Sequence, residues 1–404
     1  MRVLIADKLE DRARVRLASR GHEVRMEPGL AGDALVEALA AWRPEALVVR
    51  STKVTRPMLE LGCLSLVVRA GAGVNTIDLK AAGEFGVFVS NCPGKNADAV
   101  AELTMGLLVA VDRHIAAGDR DLKEGRWNKG AYSKASGLAG RTLGILGMGD
   151  IGQGVAKRAR AFGMDVIAWS RSLTPDRAAA LGVRHASDPS EVAAAADVLS
   201  VHLALTDATR GFVGPGLLGA LKHGSIFLNT SRAEVVDEAA LLEALETRSL
   251  RAGLDVFSGE PSGKDGAFTH PLAAHPRVTG THHTGASTDQ AQEAVADEAV
   301  RIVEVFGDTG RAPNCVNLTG ADSSHVLVVR HRDRVGVLAA VLDVLRGADL
   351  NVGELENTRF TRGGASSARI GLDAAPSPET LERIGALPDV LHTSVAEVAT
   401  VESR

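Results

Sequence analysis

The 404-residue chain is 45% hydrophobic and 24% charged, enough to bury large cores, and at roughly 100–200 residues per domain it predicts two to four domains. A formal net charge of −5 and an aromatic content of 3% exclude a global cationic field and a base-stacking platform, so neither nucleic acid nor membrane is an expected partner. Cys63, Cys92 and Cys315 lie far apart without metal-ligand spacing, and charge interrupts the N-terminus at Arg2, Asp7 and Lys8; the expectation is a cytoplasmic enzyme with no metal centre, disulfide scaffold, leader or membrane span.

Short apolar runs alternate with helical patterns from the N-terminus. Val3–Ala6, Ala46–Val49, Leu64–Val68 and Val87–Val89 read as strands, with helical stretches such as Asp33–Ala41 between them. A long alanine-rich helix is expected over Ala97–Ala117. Thr142–Leu146, Val166–Trp169, Val198–Leu203, Ile226–Asn229 and Gly253–Phe257 are the next strands, and the alternation predicts parallel sheets covered by helices on both faces. Two helix starts are legible in Thr174-Pro175 and in Asp188-Pro189-Ser190-Glu191, each a capping residue followed by a first-turn proline. Gly307–Ser324, rich in Gly, Pro, Asn and Ser, reads as a linker. Beyond it the order changes: strand His325–His331, helix Val335–Arg346, strands Leu350–Thr358 and Ala368–Leu372, helix Pro378–Ala386 and strand Leu391–Val398. This is the βαββαβ order of a ferredoxin-like module.

Gly147-Met148-Gly149-Asp150-Ile151-Gly152 lies between the strand Thr142–Leu146 and a helix reaching about Phe162. Gly147 suits the tight turn, Gly149 the approach of a pyrophosphate and Gly152 the close packing of helix on strand, while the helix N-terminus attracts negative charge. Dinucleotide binding is therefore expected. An acidic residue at the end of the next strand would favour NAD(H). Ser170-Arg171 stands there instead, and a hydroxyl beside a guanidinium suits a 2′-phosphate, so of NAD(H) and NADP(H) the latter is slightly favoured.

Three later segments each put a reactive residue just after a strand: Leu228–Arg232, Leu254–Pro261 and His282–Ser287. With the glycine turn, this ordered set resembles the D-isomer-specific 2-hydroxyacid dehydrogenases. Arg50-Ser51-Thr52-Lys53-Val54-Thr55 and the C-terminal module resemble the phosphoglycerate-oxidising branch of that family. The resemblance implies that Arg232 holds the substrate carboxylate, that His283 is the general acid/base and that Glu260 pairs with it. His282 stands where the family has proline. The resemblance also implies that Asp150 and Ile151 offer amides to the pyrophosphate, that Leu203 and Thr230 line the nicotinamide ribose, and that Asp255 meets the carboxamide. His202 is expected to be structural. The long stretch Pro261–Pro276 is an expected excursion at the cleft mouth.

Ala72 and Gly73, in Arg69-Ala70-Gly71-Ala72-Gly73-Val74-Asn75, match the family's substrate loop. Asn75 and Asp98 depart from its usual residues. Arg50, Ser51 and Lys53 match the side that would bind a phosphate, with Lys129 and Lys134 as further candidates. The tail resembles an ACT regulatory domain, in which His331, Asp333 and Asn351 match positions that bind an amino-acid effector such as serine, although Val335 replaces the usual proline.

The resemblance thus implies an α/β protein of two doubly wound parallel-sheet domains plus the ferredoxin-like module. The expected divisions are a flavodoxin-like substrate domain over 1–97, completed by 287–310; a Rossmann domain over 98–286; a linker over 311–323; and the ACT-like domain over 324–404. The expected reaction is oxidation of the 2-hydroxyl of 3-phosphoglycerate in serine biosynthesis, by a homodimer or homotetramer. Glyoxylate or hydroxypyruvate reduction is the alternative, and a non-catalytic nicotinamide sensor a third reading.

Overall fold

The computed structural model describes residues 1–261, 266–318, 323–361 and 363–397. Two compact units divide it, Met1–Asn317 and Leu318–Arg404.

The first unit holds two parallel sheets. Strands β1 (Arg2–Ile5), β2 (Glu23–Met26), β3 (Ala46–Val49), β4 (Leu66–Arg69) and β5 (Phe88–Asn91) form a five-stranded sheet in the order β2-β1-β3-β4-β5. That is the flavodoxin-like order, whose switch point lies between β1 and β3. Thr288 caps the helix Asp289–Thr309 by accepting from Ala291 N, and Val295, Ala299, Val300, Ile302 and Val303 of that helix pack on this sheet.

Strands β6 (Thr142–Leu146), β7 (Asp165–Trp169), β8 (Arg184–His185), β9 (Val198–Val201), β10 (Ile226–Asn229), β11 (Arg251–Leu254) and β12 (Val278–Gly280) make a seven-stranded sheet. Its order is β12-β11-β10-β9-β6-β7-β8 and every pair is parallel, the Rossmann arrangement with one strand added. The helix Ala97–Asp112 packs on this sheet and on the helix Asp150–Ala161, where a Cβ at Gly154 would come within 3.1 Å of the Ala101 methyl.

In the second unit, β13 (His325–Arg332), β14 (Val352–Arg359), β15 (Ala365–Leu372) and β16 (Val390–Glu397) form an antiparallel sheet in the order β14-β15-β13-β16. The helices Val337–Gly347 and Pro378–Gly385 cover one face through Val341, Leu345 and Ile384 against Leu327, Val329 and Ile370. The expected fold class, two doubly wound α/β sheets followed by a βαββαβ module, is the observed one.

Four local expectations change. The single helix over Ala97–Ala117 is two, Ala97–Asp112 and Ile115–Lys123, because His114 adopts φ 55° between them. The first helix buries an apolar face, whereas no residue of the second is buried, so nothing draws the two into line. Strands β2 and β8 were not expected, and β12, implied just before His282, had no expected limits. All three lie at sheet edges and are partly exposed, so they lack the continuous apolar run of a strand buried on both faces. Strand Gly253–Phe257 ends earlier, at Leu254, leaving Asp255–Phe257 as loop above the sheet. Finally, the start of the expected linker is docked: Val316 N donates to Val89 O (2.8 Å), and the Asn317 amide spans Val89 N and Val87 O (both 2.8 Å), covering the open edge of β5. Residues 319–322 of that linker, 262–265 of the stretch Pro261–Pro276 and Val398 of the last expected strand lie outside the described residues.

Candidate active site

The carboxyl ends of both parallel sheets in the first unit open onto one cleft. It consists of two adjoining cavities of about 360 and 370 Å³ that share Arg69, Gly73, Asn75, Arg232 and His283.

The glycine turn follows β6. Gly147 has φ 101°, and a Cβ there would lie 2.5 Å from His202 O; a Cβ on Gly152 would lie 2.0 Å from Gly147 O. Both positions therefore exclude a side chain by backbone contact. Gly149 differs: a Cβ there would meet nothing within 4 Å. The protein does not need glycine at 149 for its own packing, and the open space lies at the N-terminus of the helix Asp150–Ala161, where unpaired N–H groups attract an anion. This cradle fits the pyrophosphate of a dinucleotide. Ile151, Leu203, Thr230 and Asp255 line the larger cavity; Asp150 and Ser170 do not, and Arg171 is exposed beyond β7. Thr230 Oγ1 is 2.8 Å from Thr104 Oγ1, which ties the floor of this cavity to the helix Ala97–Asp112.

His202 lies beneath. Its Nε2 is 2.8 Å from Ser200 Oγ, and burial pushes its imidazole down to about 4, so the ring is neutral. A neutral ring pinned to a strand serine fits the structural role expected for it.

His283 and Glu260 meet. A carboxylate only accepts, so His283 Nδ1 donates to Glu260 Oε2 (2.7 Å), while Glu260 Oε1 accepts from Phe257 N (2.8 Å). Burial pushes the Glu260 carboxyl up, but the bonds from His283 and Phe257 N and the charges of His283 and Arg232 outweigh it and hold the carboxyl below its ordinary value. His283 itself adopts φ 52°, uncommon for a residue with a Cβ. Asp255 over-determines that turn: its buried carboxylate accepts from Thr281 Oγ1 (2.6 Å), Thr284 N (2.8 Å) and Gly285 N (2.8 Å), and its carbonyl from His283 N (2.8 Å). Arg232 donates through Nη1 to Ser231 O (2.7 Å), and its Nη2 occupies the place that a Cβ on Gly73 would take. Asn229 shapes that turn by accepting from Ser231 N (3.0 Å) and Oγ (2.8 Å) and donating to Arg232 O (3.0 Å).

Sequence reasoning passed over three features. Arg69, the first residue of the small-residue turn, lines both cavities, and its Nε is buried without a partner. Burial and the neighbouring Arg232 and Arg50 bring its guanidinium down to about 10, the mark of a cation placed without an anion. A signal was present, since an arginine closing an apolar strand has to leave the core. Asp7, at the end of β1, gathers the turn Arg50–Thr52, as described below. Glu238 joins the loop after β11 to His270: it accepts from Ser258 N (3.0 Å) and Ser258 Oγ, and His270 Nε2, whose ring stacks on Phe268, lies 3.3 Å away.

Other expected residues are not brought to the cleft lining. Ala72 lines the larger cavity, but Arg50, Ser51 and Lys53 line neither. Lys129 lines a separate cavity with Trp127 and Tyr132, and Lys134 is exposed. In the second unit, His331 is bonded to Arg332 O (2.7 Å) and Asn357 Oδ1 (3.1 Å), and Asp333 pairs with Arg359 (2.9 Å). Asn351 precedes the opposite end of β14, so one chain does not assemble these three residues into a single site.

No helix among the described residues is long and apolar enough to cross a membrane, and they hold no cluster of three or more metal-ligating side chains.

Comparison with known proteins follows the same lines. The sequence profile of the D-isomer specific 2-hydroxyacid dehydrogenase, NAD binding domain, matches residues 105–285. The chain is 38% identical over 321 residues to a D-3-phosphoglycerate dehydrogenase of Methanocaldococcus jannaschii, covering 79% of this chain and 60% of that one. It is 42% identical over 269 residues to a hydroxypyruvate reductase of Thermotoga maritima, covering 66% of this chain and 85% of the relative. A cofactor (NAD+) bound 3-phosphoglycerate dehydrogenase from Entamoeba histolytica superposes with a TM-score of 0.66 at 26% identity, covering 79% of this chain and 99% of that one. The chain spans 44% to 60% of the length of the plant and archaeal phosphoglycerate dehydrogenases it matches. Glycine turn, Arg232, Glu260 and His283 thus stand in a fold and a sequence context that agree, and the chain belongs to the D-isomer-specific 2-hydroxyacid dehydrogenase family.

Proposed function

We propose that the chain is a nicotinamide-dependent D-2-hydroxyacid dehydrogenase that oxidises 3-phosphoglycerate to 3-phosphohydroxypyruvate, the step that feeds serine biosynthesis. One observation carries this reading: the His283–Glu260 pair shares its cleft with Arg232 and Arg69, and neither guanidinium has a carboxylate of the described residues within 4.0 Å. Burying cations without partners is unfavourable unless an anionic ligand completes the site, and the substrate brings both a carboxylate and a phosphate.

Arg232 offers a planar fork to the carboxylate and to the oxygen on C2. With Nδ1–H committed to Glu260, Nε2 of His283 is the nitrogen free to take the C2 hydroxyl proton, and the ionised Glu260 stabilises the imidazolium that results. Nicotinamide supplies the hydride acceptor when the dinucleotide is bound in the larger cavity. Between NAD(H) and NADP(H), the exposed Arg171 beside Ser170 favours the phosphorylated form.

The same reading makes the chain a cytoplasmic homo-oligomer. Trp127, Leu122 and Ile115 are 81%, 59% and 52% exposed beside one cavity, a patch suited to a second copy. The C-terminal unit is read as ACT-like and regulatory. Because Asn351 is remote from His331 and Asp333 within one chain, a site for serine there requires two copies side by side.

Hydroxypyruvate or glyoxylate reduction is the second reading, favoured by the absence of Arg50, Ser51 and Lys53 from the cleft lining. Initial rates of NADH and NADPH oxidation with 3-phosphohydroxypyruvate against hydroxypyruvate decide between them. A preference of at least about tenfold for the phosphorylated acid is expected, corresponding to roughly 1.4 kcal/mol; equal or faster turnover of hydroxypyruvate moves the chain to the reductases.

A further inference from the structure

Asp7 and the turn after β3 meet at the switch point of the flavodoxin-like sheet, between the carboxyl ends of β1 and β3, where this topology opens a crevice for ligands. Three consecutive amides, Arg50 N, Ser51 N and Thr52 N, converge on a single oxygen, Asp7 Oδ2, at 2.6, 3.0 and 3.0 Å, and Ser51 Oγ donates to Oδ1 at 3.2 Å. Successive amides around one oxygen form an anion nest. In this chain the nest is filled from within. Although burial pushes the Asp7 carboxyl up, these donors hold it below its ordinary value, so it stays ionised at neutral pH.

Two consequences follow. An external phosphate cannot use these amides or the Ser51 hydroxyl while Asp7 holds them. The turn is also fixed, so Arg50 leaves it in one direction, toward the helix Asp289–Thr309, where Nη1 donates to Gln292 Oε1 (3.3 Å). Arg50 makes no ion pair within 4.0 Å among the described residues, and its charge reaches Arg69 in the cleft.

We infer that Asp7 is a positioning residue for substrate selectivity: by filling the nest it withdraws the backbone from anion binding and fixes Arg50 outside the cleft lining, where its charge supports Arg69, the guanidinium that lines both cavities, in selecting a phosphorylated acid. This rests on the proposed substrate class and names what within the chain sets it. Asp7 touches no reacting atom; it acts through Arg50.

The test compares wild type, Asp7→Asn, Arg50→Ala and the double variant in the full chain. Steady-state rates are measured with 3-phosphohydroxypyruvate and with hydroxypyruvate, and inorganic phosphate is titrated as a competitive inhibitor of hydroxypyruvate reduction. Asp7→Asn keeps the size of the side chain but removes its negative charge and leaves one acceptor oxygen where the nest and the Ser51 hydroxyl now share two. The expected result is a KM for the phosphorylated acid raised about tenfold with kcat held, a phosphate inhibition constant raised to match, and hydroxypyruvate KM changed less than about threefold. The double variant should be no worse than Arg50→Ala alone, since the two act as one unit. Equal losses on both substrates, no change, additive losses in the double variant, or tighter phosphate binding by Asp7→Asn each overturn the inference. If the wild type binds phosphate but prefers hydroxypyruvate, the proposed substrate falls, and Asp7 is judged by the phosphate constants alone. A wild type indifferent to phosphate removes both. Should Asp7→Asn not fold, Arg50→Ala with Asp7→Glu replaces it under the same criteria.

Discussion

Two turns at the carboxyl ends of two parallel sheets are built from the same element, backbone N–H groups that converge where an anion can sit, and they end in opposite states. After β6, the amides at the start of the helix Asp150–Ala161 face open space, and the glycine beside them, Gly149, has no packing reason to be glycine. After β3, the amides of Arg50, Ser51 and Thr52 are all committed to Asp7. The first turn is a ready site for a ligand phosphate; the second spends its backbone on the protein and offers side-chain charge instead. On the proposed reading, similar sheet topology leaves backbone amides for a dinucleotide on one side of the cleft and, on the other, a turn closed by the protein's own carboxylate, with Arg69 as the guanidinium for a small acid.

The largest expected effect lies between the two turns. His283→Ala should lower turnover by about 10³-fold while dinucleotide affinity, read by nicotinamide fluorescence, stays within a factor of about three. Retained turnover would remove the acid/base role, and with it the reason for the two recognition sides to face each other; a nicotinamide sensor would then be the better reading.

Next in size is a pair of substitutions within the open turn. A methyl at Gly152 meets the Gly147 carbonyl at 2.0 Å, so Gly152→Ala should destabilise the seven-stranded sheet by more than about 2 kcal/mol, seen as a lowered Tm. Gly149→Ala meets nothing, so its Tm should hold while dinucleotide Kd rises about tenfold, as the methyl fills the cradle. If both variants lose stability, the cradle is structural and the contrast with the Asp7 turn fails.

The smallest effect sharpens the guanidinium side. Arg69, brought down to about 10 by burial beside Arg232 and Arg50, is a cation the fold holds at a loss. Arg69→Met should raise Tm by roughly 2–4 °C while raising KM for the acid. The sign with pH is definite. A basic group whose folded value is depressed penalises the native state wherever it is charged, and the penalty fades as pH rises through about 10. The Tm advantage of the Met variant should accordingly shrink above that pH. An advantage independent of pH would mean that packing, not charge, separates the two.

Much of this was legible along the chain. Strands buried on both faces announce themselves as unbroken apolar runs, which is why Ala46–Val49, Thr142–Leu146 and Ile226–Asn229 coincide with their expected limits. Edge strands β2 and β8 were silent, and the limits of β12 were not legible, because these strands are partly exposed and lack a continuous apolar run. The break at His114 was silent too, since the apolar period runs through it and a left-handed residue other than glycine leaves no mark in composition. Of the site, Arg232, Glu260 and His283 were visible as reactive residues just beyond strands. Arg69 closes the apolar strand β4, and only the folded cleft shows that its charge belongs to the site.

What local sequence determines here is whatever depends on neighbours a few residues away: the period of each strand and helix, the caps at Thr174 and Asp188, and the steric demands met by the glycine turn. Contacts across long separations are of another kind. Glu260 meets His283 from 23 residues away, Asp7 closes on a turn more than 40 residues downstream, and Asn317 covers a strand edge 228 residues behind it. Such pairings depend on which sheet ends face one cleft, and no window of sequence contains them. Whether an amide nest stays open to a ligand or is filled by the protein's own carboxylate is therefore settled only when the chain has folded.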